Sequence, residues 1–465
     1  MVILVADGAR PDTLAAALDA GTLPALAKLR AEGGLHTVTT VFPSVTGPAY
    51  TPFLMGRFPG PVGLPGLRWF DRSHAATPFP HFSRSYVGAE MRKVDGDLDP
   101  HAPTLFELAG SSLAALSVIG RGVAPGDREG RSLGFALRAA YTHFRGDVRG
   151  WLDIDRDIGD RMVARIRREQ PAIAFCALTG IDKTSHAAGH DADVVSDAMR
   201  IVDGVAAAVR ADAESDGRWE TMHLWIVSDH GHSPVRAHDD LAALLRSWQL
   251  GIIAHPWIFG RGRDAAVMVS GNAMAHVYLD LLDRPDRRWW PALATRWEWV
   301  AERLLARESV DLLLLPHTTG SCEIRARGRG AARVVIEGGR VSYRPDSGDP
   351  LGLGELHHLS SDAALEATRD SDYPDSLVQI ANLAASPRAG DLILSAARDW
   401  DFRARWEPIP HVSSHGALHR EHMLVPLLLS RPAARVPRRT VDVMPSALTA
   451  LGIGVPAGLD GASFL

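Results

Sequence analysis

The sequence predicts an α/β protein: a mostly parallel central sheet with helices on both faces, plus one large inserted subdomain. Three observations predict it. Apolar runs that read as buried strands alternate with stretches of helical periodicity through the N-terminal half, and such alternation implies a parallel sheet covered on both faces. Several of these runs end in Asp, His or a hydroxyl residue, most followed by Gly, and open α/β sheets gather ligands at the carboxyl ends of their strands. The alternation then breaks from about Ala237 to Pro410 and returns in the last part of the chain.

Taken in order, residues 1–6 read as the first strand, ending in Asp7-Gly8. Residues 12–31 read as a helix with Leu14, Leu18, Leu26 and Leu29 apolar; Gly21 and Pro24 split it, Gly33-Gly34 end it, and Asp12 is its expected cap. Residues 38–42 form a strand that leads into Pro43-Ser44-Val45-Thr46-Gly47, and residues 49–55 form a short helix. A strand is expected over 114–119 and an amphipathic helix over 154–168. Residues 173–178 are a strand leading to Asp182 and His186, and residues 193–213 a helix. Residues 224–227 are an apolar strand running into Ser228-Asp229-His230-Gly231. Neighbouring side chains on a strand face opposite ways, so Asp229 and His230 reach one site only if the chain turns there, and Gly231 is expected to supply that freedom. The loop His415-Gly416, a strand over 425–429 and a helix over 441–451 complete the pattern. The predicted division is 1–236 and 411–465 as core, with 237–410 as a cap or lid. The tryptophans at 289, 290, 297 and 299 are expected in the core of that cap.

Composition narrows the function. The chain has 465 residues, ordinary apolar and charged fractions and a formal net charge of −5, which gives no reason to expect a nucleic acid polymer or an anionic membrane as partner. Two cysteines, Cys176 and Cys322, exclude a disulfide framework and a thiolate zinc site. No apolar stretch is long enough to span a bilayer, and the sequence opens on a strand without a signal-peptide pattern, so a cytoplasmic location is expected.

The polar residues at the strand ends make one site. Asp7, Thr46, Asp229 and His230 are candidate ligands of one metal ion, and Asp182, His186 and His415 of a second. Oxygen and nitrogen donors without thiolates suit Zn²⁺, with Mn²⁺ the alternative. Two such ions roughly 4 Å apart form a clamp for phosphoryl transfer, and a metal-bound Thr46 hydroxyl would be acidic enough to attack. Thr46 also reads as the cap of the helix behind Pro48, where backbone N–H groups bind phosphate oxygens. Gly47 would let a substrate approach closely. Ser44 is the rival nucleophile. His190 is assigned to a supporting or substrate-facing position, and His232, His411, His419 and His422 to the surface or to supporting positions.

These residues carry a resemblance. Asp7-Gly8, the Phe-Pro-Ser-Val-Thr stretch at 42–46, Asp182-x-x-x-His186-x-x-Gly189, Ser228-Asp229-His230-Gly231 and Ser414-His415-Gly416 resemble, in this order, the alkaline phosphatase superfamily, in particular its type I phosphodiesterase/nucleotide pyrophosphatase branch. The C-terminal stretch from Thr440 to Pro445, ending near Asp460-Gly461, is also similar to the end of that fold. The resemblance implies an alkaline-phosphatase-like fold, a two-zinc site, a covalent phospho-threonine intermediate and two-step hydrolysis of a small phosphate ester. The sequence also departs from that branch. Gly47-Pro48-Ala49-Tyr50 replaces the usual Phe-Pro-Asn-His, and Val62 to Trp69 lacks the family's phosphate-binding Asn. Arg68 is the nearest substitute; a guanidinium there binds oxygens in pairs and would favour a monoester. A phosphodiesterase is therefore the leading expectation. The alternatives are a phosphomonoesterase, a phosphonate hydrolase or mutase, and a metal-binding protein without turnover.

Overall fold

A computed structural model gives the architecture; it describes residues 1–74, 83–255, 264–281, 286–403 and 410–465. Seven strands form the central sheet, in the order Leu35–Thr39, Leu424–Leu429, Leu224–Val227, Val2–Ala6, Ile173–Leu178, Ser112–Ala115, Arg128–Glu129. The five from Leu224–Val227 onward pair in parallel. Leu424–Leu429 runs antiparallel to both its neighbours, so the expected mostly parallel sheet holds.

Alternation within each strand builds two cores. Val2, Leu4, Ala174, Cys176, Leu224 and Ile226 face one side, with apolar residues of Pro11–Asp19, Pro24–Gly33, Val148–Glu169 and Asp193–Ser215. Ile3, Val5, Phe175, Trp225 and Val227 face the other, against Phe53, Leu54, Phe106 and Met444 from short helices. Cys176 is one of the buried strand residues, as its apolar surroundings suggest. The long helix is amphipathic as expected, with Leu152, Ile158, Met162 and Ile166 buried.

Three expected elements shift. The second strand is Leu35–Thr39 rather than 38–42, because its ladder to Leu424–Leu428 ends at Thr39. Beyond it Phe42 turns into a different core and donates its N–H to Gln379 Oε1 at 3.0 Å. The 114–119 strand is Ser112–Ala115; Ser117 Oγ donates to Ile119 O at 2.5 Å and closes a turn where the strand was expected to continue. Asp12 lies inside the first turn of its helix, whose N-cap is Arg10; its carboxylate pairs with the Arg10 guanidinium at 2.6 Å.

A second, nine-stranded sheet lies wholly within residues 237–410, from Ile252–Ala254 to Leu392–Ala396, and is antiparallel except at its first pair. The chain enters this region on Ser233–His238, returns on Asp399–Asp401 parallel to it, and adds Ser413–Ser414 antiparallel. Leu312, Leu314, Ile324 and Ile380 pack with Phe42, Ala49, Phe58 and Val441 of the flanking segments. A buried Arg439–Asp375 pair, with N–O distances of 2.8 and 2.6 Å, adds a polar link. Removing one partner of such a pair costs about 3–5 kcal/mol, because the other charge stays buried. Trp290 and Trp297 are buried on the helix Trp290–Leu305, as expected, whereas Trp299 is 37% exposed beneath the Arg303 guanidinium.

Candidate active site

All the predicted ligands lie at the carboxyl ends of the central strands or on the loops beside them, and they converge. Asp7 follows Val2–Ala6 directly, its N–H donating to Leu178 O at 3.1 Å. Beyond Val227 the chain bends at Asp229, and the Ser228 hydroxyl pins the bend by donating to His230 O at 2.8 Å. Both ligand side chains therefore turn inward. Gly231 has a different job from the one expected. Its φ is not positive, but a Cβ there would lie 2.1 Å from the Glu421 carbonyl oxygen. Close backbone approach is what requires glycine at this position.

Thr46 sits between two of these ligands. Its Oγ1 lies 3.4 Å from Asp7 Oδ1 and 3.3 Å from His230 Nε2. It does not cap a helix: the short 3₁₀ turn Pro48–Tyr50 takes Gly47 as its N-cap. Gly47 adopts φ +100°, ψ −80°, a conformation costly for any residue with a Cβ, and this turns the chain away directly after the hydroxyl. Ser44 is fully buried, and its Oγ donates to Ala417 O at 2.9 Å. That contact leaves Thr46 as the hydroxyl facing the acidic cluster.

The second cluster centres on Asp182. His186 Nε2 lies 3.2 Å from Asp182 Oδ1, and His415 Nε2 lies 3.5 Å away. Each ring is anchored by its other nitrogen: His186 Nδ1 donates to Ser413 O at 2.8 Å and His415 Nδ1 to Ser44 O at 3.0 Å. A carbonyl only accepts, so both Nε2 atoms present lone pairs to the site. One turn of the second sheet backs His415: Ala273 N donates to His415 O at 3.0 Å and Ser414 Oγ to Gly271 O at 3.1 Å.

The donor set fits divalent metal ions. Around a tetrahedral Zn²⁺ with bonds of about 2.0–2.1 Å, neighbouring donors sit roughly 3.3 Å apart, close to the separations here. Asp7, Asp182 and Asp229 are each 2% exposed or less, and one oxygen of Asp229, Oδ2, is buried with no hydrogen-bond partner. Burial and the negative charge of Asp7 push the Asp229 carboxyl up to about 7. Burial opposes charge on His230, but Asp229 and Asp7 outweigh it and hold the imidazole at about 9. Packing carboxylates this closely without cations is unfavourable, and metal ions between them relieve it.

Two further residues support this cluster: His232, read from sequence as a surface or supporting residue, and Lys183, which that reading missed. His232 is fully buried, with Nε2 3.0 Å from Asp182 Oδ1 and Nδ1 3.2 Å from Ser413 Oγ, so it holds the Asp182 carboxylate. Lys183 Nζ lies 2.7 Å from Asp182 Oδ2. The bend at Asp229 brings His232 back toward Asp182; the sequential pairing of Asp182 with Lys183 is the available signal for the second. His411 stacks on His186 with ring centroids 4.3 Å apart. His419 pairs with Glu421 at 2.9 Å, and His422 Nδ1 accepts from Ala417 N at 3.0 Å. Arg68 opens the strand Arg68–Phe70 and is half-buried, its Nε donating to Ser85 Oγ at 3.3 Å. The adjacent Leu67 packs beside Gly47.

Two buried acid-and-imidazole clusters around one hydroxyl, at the strand ends of an α/β sheet, define a phosphoric ester hydrolase fold of the alkaline phosphatase kind. Residues 1–303 match the type I phosphodiesterase/nucleotide pyrophosphatase family. The chain belongs to that family, and it is a phosphoric ester hydrolase. Solved structures share the fold at low identity. Wild-type alkaline phosphatase PafA is 14% identical with a TM-score of 0.63, covering 100% of this chain and 97% of its own. Phosphonoacetate hydrolase from Sinorhizobium meliloti 1021, in complex with phosphonoformate, is 17% identical with a TM-score of 0.57, covering 97% and 95%. Murine ectonucleotide pyrophosphatase/phosphodiesterase 5, in an inactive form with AMP, is 13% identical with a TM-score of 0.57, covering 99% and 97%. No curated protein matches the chain by sequence. Among the described residues, no helix is long and apolar enough to cross a membrane.

Proposed function

We propose that the protein hydrolyses small phosphodiesters in two steps, with Thr46 as the nucleophile beside two divalent metal ions. Asp7, Asp229, His230 and Thr46 would hold one ion, and Asp182, His186 and His415 the other; the donors favour Zn²⁺, with Mn²⁺ as the alternative. Bound there, the ions would supply acidity to the Thr46 hydroxyl and offset charge on the attacking and leaving oxygens.

The chain's own residues do the rest. Thr46 Oγ1 loses its proton and forms a bond to phosphorus as the bond to the leaving alkoxide or phenoxide breaks and that oxygen takes up a proton, giving a phospho-threonine ester. Water then attacks the same phosphorus, and Thr46 Oγ1 departs and regains its proton. Asp7 and His230, within 3.4 Å of Oγ1, orient it. The Gly47 backbone offers an approach for substrate oxygens. We assign residues 237–410 the role of a cap that walls the substrate side, on the strength of the Gly271–Ala273 turn against His415.

The observation that carries this reading is the Thr46 hydroxyl set between Asp7 and His230, beside an Asp229 oxygen that no hydrogen bond satisfies. The test is turnover of bis-p-nitrophenyl phosphate and p-nitrophenyl phosphate by metal-stripped protein resupplied with Zn²⁺ or Mn²⁺. Faster diester turnover that requires metal and Thr46 is expected. Preference for the monoester would instead favour Arg68 as a binder of the terminal phosphate oxygens. Metal binding with turnover of neither ester would refute the proposal.

A further inference from the structure

One buried carboxylate near the site takes no part in the chemistry above. Asp155 lies on the helix Val148–Glu169 and is 1% exposed. Its Oδ1 accepts the Thr179 N–H at 3.0 Å and its Oδ2 the Gly180 N–H at 2.6 Å. These amides open the helix Gly180–Ala188, whose own N-cap residue, Thr179, makes no side-chain cap. That helix carries both Asp182 and His186. Gly180 is required by the same contact, since a Cβ there would lie 2.7 Å from Asp155 Oδ2.

We infer that Asp155 is a positioning residue for the Asp182–His186–His415 metal site. A carboxylate accepting two consecutive amides fixes the rotation and the tilt of the helix start, as one hydrogen bond would not. Asp182 follows the second amide by two residues, and His186 stands one turn further along the same face. Any rotation of the first turn therefore carries both ligands away from His415, which is held independently through Ser44 O. The other site, built from Asp7, Asp229 and His230, hangs on different strands; Asp182 lies within 4.8 Å of Asp7 and His230, so that site feels the rotation less rather than not at all. The inference rests on the two-metal reading.

The test is metal stoichiometry and affinity by calorimetric titration of stripped protein with Zn²⁺, comparing wild type, Asp155→Ala and Asp155→Asn. Outer partners of metal ligands typically set affinity by about 10–100-fold. Wild type is expected to bind two equivalents. Asp155→Ala is expected to weaken one of them by about that factor and the other clearly less. Asp155→Asn, which keeps one acceptor but turns an N–H donor toward the second amide, is expected to fall between. Two equivalents bound at wild-type affinity by a folded variant would overturn the inference, as would equal weakening of both, which marks a general loss of stability. If Asp155→Ala does not fold, Asp155→Asn decides by the same criterion. A wild type that binds no metal would refute the two-metal reading, and the inference with it.

Discussion

Replacing Gly231 with alanine separates two physical reasons for a glycine next to the Asp229-His230 pair. If conformational freedom were the reason, alanine would be tolerated, because φ at this position is not positive. If close approach is the reason, alanine must push two backbones apart. Its Cβ would lie 2.1 Å from Glu421 O, against an ordinary contact distance of 3.4 Å or more, so about 1.3 Å of movement is needed. No flexible side chain can absorb it, because the opposing atom is a carbonyl oxygen, and Leu424 O stands at 3.3 Å on the same side. The Gly231 N–H also donates to His422 O at 2.9 Å, which ties the two segments where they must separate. Overpacking of this kind costs about 1–3 kcal/mol. A shift of about 1 Å passed to His230 would cost turnover on the order of 10²-fold, since His230 Nε2 faces Thr46 Oγ1 at 3.3 Å. The assay is the denaturant midpoint and bis-p-nitrophenyl phosphate turnover of Gly231→Ala beside wild type. An unchanged midpoint together with unchanged turnover would refute the close-approach argument.

Other outcomes follow from the same geometry. Thr46→Ala is expected to lose turnover by on the order of 10³-fold or more while Ser44→Ala keeps most of it, because Ser44 Oγ is spent on Ala417 O; the reverse order would move the nucleophile to Ser44. Arg68→Ala is expected to lower p-nitrophenyl phosphate turnover more than bis-p-nitrophenyl phosphate turnover, and equal losses would remove Arg68 from phosphate binding. Burial holds the Asp155 carboxyl up at about 7, against 3.8 when exposed. Between those values the folded chain keeps a proton that the unfolded chain has lost, so this group's contribution to stability falls as pH rises from 3.8 to about 7 and is level above that. In metal-free protein, the stability gap between wild type and Asp155→Ala should narrow from pH ~5 to pH ~7.5; a gap that widens would contradict the assignment.

Much of this was legible in the sequence because strand ends announce themselves. Buried parallel strands are apolar without interruption, so Asp7, Asp182 and the Asp229-His230 pair stand out where the runs stop, and the sheet then gathers them at one edge. What the sequence hid depends on contacts between distant segments. The second strand ends at Thr39 because its partner ladder ends there, which no local pattern records. Thr46 looks like a helix cap by type and by the proline behind it, yet the left-handed Gly47 breaks the turn first. Gly231 looks like freedom in the sequence and proves to be clearance for Glu421, and Gly180, which no local pattern singles out, is clearance for Asp155. His232 reads from sequence as a surface or supporting residue, and only the fold shows which: it returns to Asp182.

The central claim is a covalent phospho-threonine step, and the stereochemical course at phosphorus tests it most directly. A phosphodiester analogue made chiral at phosphorus with sulfur and oxygen isotopes would be hydrolysed to completion, and the configuration of the product determined. Two successive in-line displacements, first by Thr46 and then by water, predict overall retention. Inversion would mean that water attacks the substrate directly, and would contradict the account.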